Sequence, residues 1–512
     1  MPGWQIYDGS VIRGESSVRQ IEVIRQLDHR FQHQVPFGDS SKIVLRVIER
    51  YKFVLEVLSR QDARLRALTE RVEALDTASV NVLFGDLLVR AALETAISKL
   101  ETTGPVGAVR DTFPALLGEA LDSLEEGRGV SVARKAMGRD FAVGPSGRTW
   151  VWDLPETPSR VGDLLRDSIR TGFMPGAQSS VEIIRPTPRM VEGLERACEL
   201  LRRLVPEMAQ SVFLHLHCIA VANIRGPRGR MLTGSGGDGT PCMIFIDPDE
   251  LENPWDTAGH ILHEAIHLKL SDLIRTGAIV TDDDPVELPW GRRTALSNSV
   301  FAYHAYAHMQ VFREAVTHLG PDCYAEFGAP RDYDAPAHAM SVVKNDVKPY
   351  SRAEERLAYL HSQLSGPLSP RVTPYGRELV AWLWDTVRPL VDGVTGDDVA
   401  PRAAASTPAP PRASRAPSSV RYRQGRDLSL RRSPASEVLF ALDPASRKIV
   451  TLNLSAWLAF ELCDGKTEEE VLSSYTSSLG LGAERAWAQL APTLRGLESS
   501  GMIEQVAEGG AP

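Results

Sequence analysis

The segment His263-Glu264-Ala265-Ile266-His267 constrains this chain more than any other. Two histidines four residues apart reach one metal ion only from the same face of an α-helix. Glu264, one residue on, then stands where it can touch an oxygen ligand of that ion. The expected helix opens at Pro254-Trp255-Asp256, with Asp256 as N-cap, and runs to about Ile274. Seven of the 12 histidines (His215, His217, His260, His263, His267, His304 and His308) fall in this middle part of the chain.

Ahead of the motif, Ser211 to Asn223 reads as β-rich, with His215 and His217 as pocket wall or sheet packing. Two short apolar runs, Arg230–Thr233 and Cys242–Ile246, flank the glycine loop Gly234–Gly239 and read as a hairpin. That loop lacks the Lys-Ser/Thr of a phosphate-binding loop. After the motif, helices are expected at Leu296–Leu319, Ser351–Leu364 and Arg377–Val391. Residues 18–130 read as packing helices without chemistry, with Ser41–Leu75, Val80–Leu100 and Pro114–Leu124 as the main stretches; further helices fit Val161–Thr171 and Met190–Leu204.

A three-ligand metal site needs a ligand from outside the motif. His260 lies roughly 10 Å along the axis from His267, which suits an outer or surface role. His304 and His308, also four residues apart, are the best sources. His304 is favoured over His308 and over a carboxylate such as Asp272 or Glu314. Zinc with an activated water would give peptide hydrolysis with Glu264 as general base. Ferrous iron with open positions would give oxygenase chemistry. Spacing does not choose between them. If 2-oxoglutarate is the co-substrate, Arg292 and Arg293 are available to pair with its distal carboxylate.

At 512 residues the chain has room for several domains of roughly 100–200 residues each. Residues 396–419, rich in Pro, Ala, Ser and Thr, read as a linker that buries no core. It sets off a C-terminal unit with strands Glu437–Leu442 and Lys448–Leu452, helices Ser455–Cys463, Thr467–Ser477 and Ala483–Ser500, and a short strand at Met502. The division is therefore a helical region 1–140, a metal-binding region 141–395, the linker 396–419 and a module 420–506. The fold class is α+β, mostly helical, with the motif helix following a small sheet.

Net charge is −9, which argues against nucleic acid as the main partner. No run reaches the roughly 18 apolar residues of a membrane span, and the N-terminus has no signal-peptide pattern. Five scattered cysteines without CxxC spacing suit a reducing compartment, so a cytoplasmic location is expected.

The stretch from His263 to about Phe312 resembles the HExxH family of 2-oxoglutarate-dependent peptide β-hydroxylases of ribosomal-peptide biosynthesis. The shared features are the motif helix, Pro289-Trp290-Gly291-Arg292-Arg293, and His304-Ala305-Tyr306 on the next helix. Thr294 stands where that family usually carries Pro. Val420 to Gln505 resembles a PqqD-like leader-peptide recognition domain, a small winged-helix fold. The matching residues are Val438–Asp443, Ile449–Asn453, Ala456-Trp457-Leu458, Cys463-Asp464-Gly465, Thr467–Val471 and Leu497 through Gly501–Ile503. These resemblances imply Fe(II) held by His263, His267 and His304, with Glu264 beside it and 2-oxoglutarate on Arg292 or Arg293. They also imply a precursor peptide whose leader the module binds as an added strand. The alternative activity is a zinc metallopeptidase acting on that peptide; a non-enzymatic peptide-binding scaffold is the third class.

Overall fold

The computed structural model describes residues 15–60, 62–103, 112–126, 142–143, 149–153, 163, 180–226, 229–231, 233–236, 240–330, 350, 352–391, 420–425, 427–433, 437–443 and 447–507. The linker 396–419 and the helix expected at Val161–Thr171, apart from Asp163, lie outside them. Among the described residues the chain is mostly helical with small sheets, and no helix is long and apolar enough to cross a membrane.

Six helices come first: α1 Glu15–His33, α2 Ser40–Ser59, α3 Ala63–Glu73, α4 Thr77–Gly85, α5 Leu87–Thr103 and α6 Thr112–Glu125. Each longer periodic stretch of the sequence is two helices, because an aspartate restarts it. The Asp62 carboxylate accepts from the Arg64 amide, and the Asp86 carboxylate accepts from those of Leu88 and Val89. Such caps satisfy the orphan donors of a helix start.

A sheet follows, with β1 Ala142–Val143, β2 Thr149–Val151, β3 Ser180–Ile183, β4 Cys218–Gly226, β5 Gly229–Met231, β6 Thr233–Ser235 and β7 Met243–Ile246. Its main path runs β1-β2-β4-β7-β6; β2, β4 and β7 are mutually parallel and β6 is an antiparallel edge. A hairpin forms here, but its first strand is β6, which takes in Gly234 and Ser235 of the expected glycine loop, while Arg230 and Met231 pair with β4 instead. The segment expected to be β-rich from Ser211 begins instead inside a helix, Pro206–Phe213, and β4 starts only at Cys218. Pro206 presets the first helical turn, and Glu207 follows at its positive end. His215 and His217 therefore lie in the connection and not on a strand.

The period-2 alternation of β4 and β7 divides two cores. Ile219, Val221, Ile244 and Ile246 face a core shared with Ile261, Leu262, Ala265 and Ile266 of the motif helix. Cys218, Ala220, Met243 and Phe245 face a core shared with α2 to α6. The N-terminal helices are thus the outer layer of the sheet that carries the motif. Helix α1 also enters the motif-side core through Ile24, Leu27 and Phe31.

The motif helix is Pro254–Thr276. Its N-cap is Asn253, which accepts from the Trp255 amide, because Pro254 takes the first helical position; Asp256 is buried within the first turn. A hairpin, β8 Val286–Leu288 and β9 Arg292–Thr294, leads to a long second helix, Leu296–Leu319, packed against the motif helix. Helices Ala353–Ser365 and Pro374–Val391 complete this layer.

The C-terminal module has β10 Val420–Gln424, β11 Ser429–Ser433, β12 Val438–Leu442 and β13 Ile449–Asn453. Helices Leu454–Leu462, Glu468–Leu479 and Ala483–Ser499 and strand β14 Ile503–Ala507 follow. Strands β11-β12-β13 form an antiparallel sheet, and β10 pairs with β14. The sequence reading found β12, β13, the three helices and the last strand; it missed β10 and β11. All five residues of β12 are buried. Leu439 and Ala441 face the module's own helices. Val438, Phe440 and Leu442 face the core of the N-terminal helices, where Phe440 stacks on Phe53 at 6.1 Å. Arg431 on β11 reaches Glu49 at 3.3 Å and Glu73 at 2.8 Å.

Candidate metal centre

The motif histidines project from one face of their helix, with Nε2 of His263 and Nε2 of His267 3.0 Å apart. Two ligands about 2.1 Å from one ion and about 90–110° apart would stand roughly 3.0–3.4 Å from each other, so the pair has the bite of a chelate. Glu264 joins them: its Oε1 is 3.8 Å from His263 Nε2, and one ligand atom from each of the three lies within 4.8 Å of the others. The Thr233 hydroxyl on edge strand β6 donates to Glu264 Oε1 at 2.7 Å. Strand and helix together therefore fix that carboxylate. No local pattern at Thr233 announces this contact; the available signal is a hairpin that ends just before the motif helix.

Burial pushes the His263 imidazole down to about 3, so it is neutral near pH 7, the state in which an imidazole ligates a metal. Its Nδ1 has no hydrogen-bond partner among the described residues.

His304, on the second helix, is fully buried, and neither of its ring nitrogens has a hydrogen-bond partner among the described residues. Burial drives its pKa well below the ordinary histidine value, with nearby His308, Lys269 and His267 adding to the shift. A buried imidazole with two unpaired nitrogens costs the fold roughly 1–3 kcal/mol per group left unsatisfied. A ligand role would account for it. His304 is nevertheless outside the group of three whose ligand atoms lie within 4.8 Å. His308 is held differently. Its Nδ1 donates to the His304 carbonyl at 2.8 Å, and its ring lies 3.9 Å from that of Phe31.

The carboxylate alternatives are engaged elsewhere. Asp272 accepts from Arg90, from His215 Nδ1 at 2.7 Å and from Arg275 at 3.0 Å. Burial alone would raise its carboxyl, but Arg90, His215 and Arg275 outweigh that and hold it well below the usual range. Glu314 pairs with Gln310 and His318 on its own helix. His260 meets Glu250 at 3.0 Å, outside the ligand group as expected. His215 bridges Asp272 to Ser40 at 3.0 Å, a tie between layers rather than pocket wall.

Asp272 opens onto a buried ionic network that ties the packing helices of the N-terminal region to the motif helix. Arg90 also donates to the Tyr51 hydroxyl at 3.0 Å, Tyr51 donates to Glu94 at 2.5 Å, and Arg50 and Arg275 flank Glu94 at 3.4 and 2.7 Å. One turn back, Lys269 is buried and donates to the carbonyls of Phe31 and Gly38 and to the Ser211 hydroxyl.

Arg292 and Arg293 lie on β9. Arg293 is 70% exposed and pairs across the hairpin with Glu287 at 3.5 Å, so it faces solvent rather than an enclosed carboxylate site. The side chain of Arg292 lies outside what the structure describes. Trp290 is buried between Tyr350 and Tyr359, with the Arg356 guanidinium 5.2 Å from its ring centre. The Pro-Trp element is therefore a packing anchor. No known family model and no curated protein matches this chain.

Proposed function

We propose that the protein is a metal-dependent enzyme that modifies a peptide. The observation that carries the reading is the convergence of His263, Glu264 and His267, with a fully buried, unpartnered His304 on the adjoining helix. His263, His267 and His304 would hold the metal, which fits the neutral state that burial imposes on His263 and His304. By the resemblance to HExxH hydroxylases the metal is Fe(II). With 2-oxoglutarate and O2 it supplies oxidation of a C–H bond, giving peptide C–OH, succinate and CO2. Glu264, fixed by Thr233, would orient groups at the metal's open face. Apolar packing around the histidines keeps bulk water away. The C-terminal unit, with its three-stranded sheet β11-β12-β13 followed by three helices, supports the PqqD-like reading, in which it holds the leader of a precursor peptide.

The exposure of Arg293 favours keeping a second reading, zinc-dependent hydrolysis of the same peptide. There Glu264, held against the histidines, would take the proton of the attacking water. The two separate in one assay. The protein loaded anaerobically with Fe(II) and then given 2-oxoglutarate and O2 should form succinate. A precursor peptide encoded beside its gene should gain one oxygen atom in mass. Cleavage of that peptide under zinc without 2-oxoglutarate, and no succinate under iron, would overturn hydroxylation in favour of the peptidase.

A further inference from the structure

Strand β13 is an outer strand, and among the described residues only β12 pairs with it. The Ile449 amide points away from β12, donating to Glu101 Oε1 at 3.4 Å. By the alternation of an antiparallel ladder, the amides of Thr451 and Asn453 face the same way. This edge opens on two clefts between the module and the core. One, of about 770 Å³, lies between Val450–Asn453, the last helix of the module at Ala488, Pro492 and Gly496, and the turn Thr276–Ala278 at the end of the motif helix. The other, of about 850 Å³, lies between Ile449–Thr451 and a wall that includes Ser271, Ile274, Ala278 and Phe301. Both are lined by Gly277, Ala278, Val450 and Thr451, so they form one trough. Together they exceed the roughly 300–1,000 Å³ of a small-molecule pocket.

The trough wall continues the face of the motif helix that carries His263 and His267. Ser271, Ile274 and Ala278 come four, seven and eleven residues after His267, which is one stripe of the helix surface continued past its end. Phe301, at its far end, has its ring 5.6 Å from that of His267.

We propose that this trough is the path of the substrate peptide between the part held on β13 and the residue that reacts at the metal. The inference rests on the peptide-modifying reading above and adds the route and its length. An open strand edge is satisfied by another extended backbone, which commits the occupant to a polypeptide in β conformation. From Ala278 back to His267 is about 16 Å along a helix rising 1.5 Å per residue. An extended chain covers that in about five residues. The reacting residue therefore lies about five residues beyond the strand-paired segment.

The test uses the full chain and a peptide selected against it from a random phage-displayed library. Thr451→Pro removes an outward amide and leaves the β12 ladder in place, so it should fold and weaken the selected peptide about tenfold or more. Benzoylphenylalanine placed at Ala278 or at Ser271 should cross-link the bound peptide at positions displaced from each other by about three residues. If Thr451→Pro weakens binding but the two probes capture nothing, or capture the same residue, the route is wrong while peptide binding stands. Binding untouched by Thr451→Pro removes the β13 edge as the anchor and overturns the inference. A selection that yields no binder takes down the peptide reading and the route together.

Discussion

Asp272 stands at the centre of the ionic network and was one of the carboxylates open as a third metal ligand, so its substitution separates a structural from a ligating role. Asp272 and Arg90 expose 2% and 6% of their side chains, and Arg275 and Glu94 expose 8% and 5%. With Arg50, three guanidinium groups face two carboxylates, an excess of one positive charge. Asp272→Ala leaves the three cations facing Glu94 alone. Removing one partner of a buried pair costs about 3–5 kcal/mol, because the charges left behind are uncompensated. At about 2–3 kcal/mol per molar of urea, the midpoint should fall by roughly 1–2 M. Arg90→Leu should cost a similar amount. The double variant Arg90→Leu/Asp272→Ala removes one charge of each sign and should recover at least about 2 kcal/mol relative to the sum of the single variants. Urea unfolding followed by tryptophan fluorescence measures all three, and metal analysis of the folded Asp272→Ala protein should show full loading. Single variants costing under about 1 kcal/mol, or strict additivity, would refute the network argument. Loss of metal with stability intact would return Asp272 to the ligand set.

Metal content measured by mass spectrometry should fall to background in His263→Ala and in His304→Ala and stay near wild type in His308→Ala; the reverse for the last two would move the third ligand by one turn. Thr233→Val should keep the protein folded and lower metal affinity or turnover by about 10–100-fold through the loosened Glu264, and an unchanged enzyme would show that the hydroxyl is idle. Phe440→Ala should destabilise the whole chain by about 3–5 kcal/mol, because the ring lies between two layers; a separate early unfolding step of the module alone would contradict that docking. Burial raises the Asp28 carboxyl from 3.8 to about 6, so the fold favours its protonated form. That stabilisation is complete below about pH 4 and is lost as pH rises through about 6, amounting to about 3 kcal/mol at most. Asp28→Asn should remove this slope from urea unfolding between pH 4 and pH 7, and an identical slope would assign it to other groups.

The sequence carried the helices of the motif layer almost to the residue, because their apolar period is long and their ends bear Pro and Gly. Leu296–Leu319 is an instance. The pairing of His263 with His267 followed from helix geometry alone. The roles of Asp272, Arg90 and Glu94 were hidden, since ion pairs between residues far apart in sequence leave no local period. The exposure of Arg293 was hidden for a related reason: its partner Glu287 sits across a hairpin whose strands are only three residues long. One signal was present but unread. Val438-Leu439-Phe440-Ala441-Leu442 is an unbroken apolar run, where a strand with one wet face would alternate. That run implies cover on both sides: helices α2 to α6 provide one and the module's own helices the other.

A strand shared between two cores has a consequence for anyone treating the C-terminal unit as a portable cassette. Its central strand, β12, has neither face finished for solvent. Transplanted by itself onto another enzyme, it would present Val438, Phe440 and Leu442 as a bare apolar strip, an invitation to aggregate. A graft that works would have to carry the matching surface of α2 with it, or replace those three positions with polar residues. The boundary that the proline-rich stretch draws along the chain is therefore a boundary in sequence, and the unit of exchange is larger than it suggests.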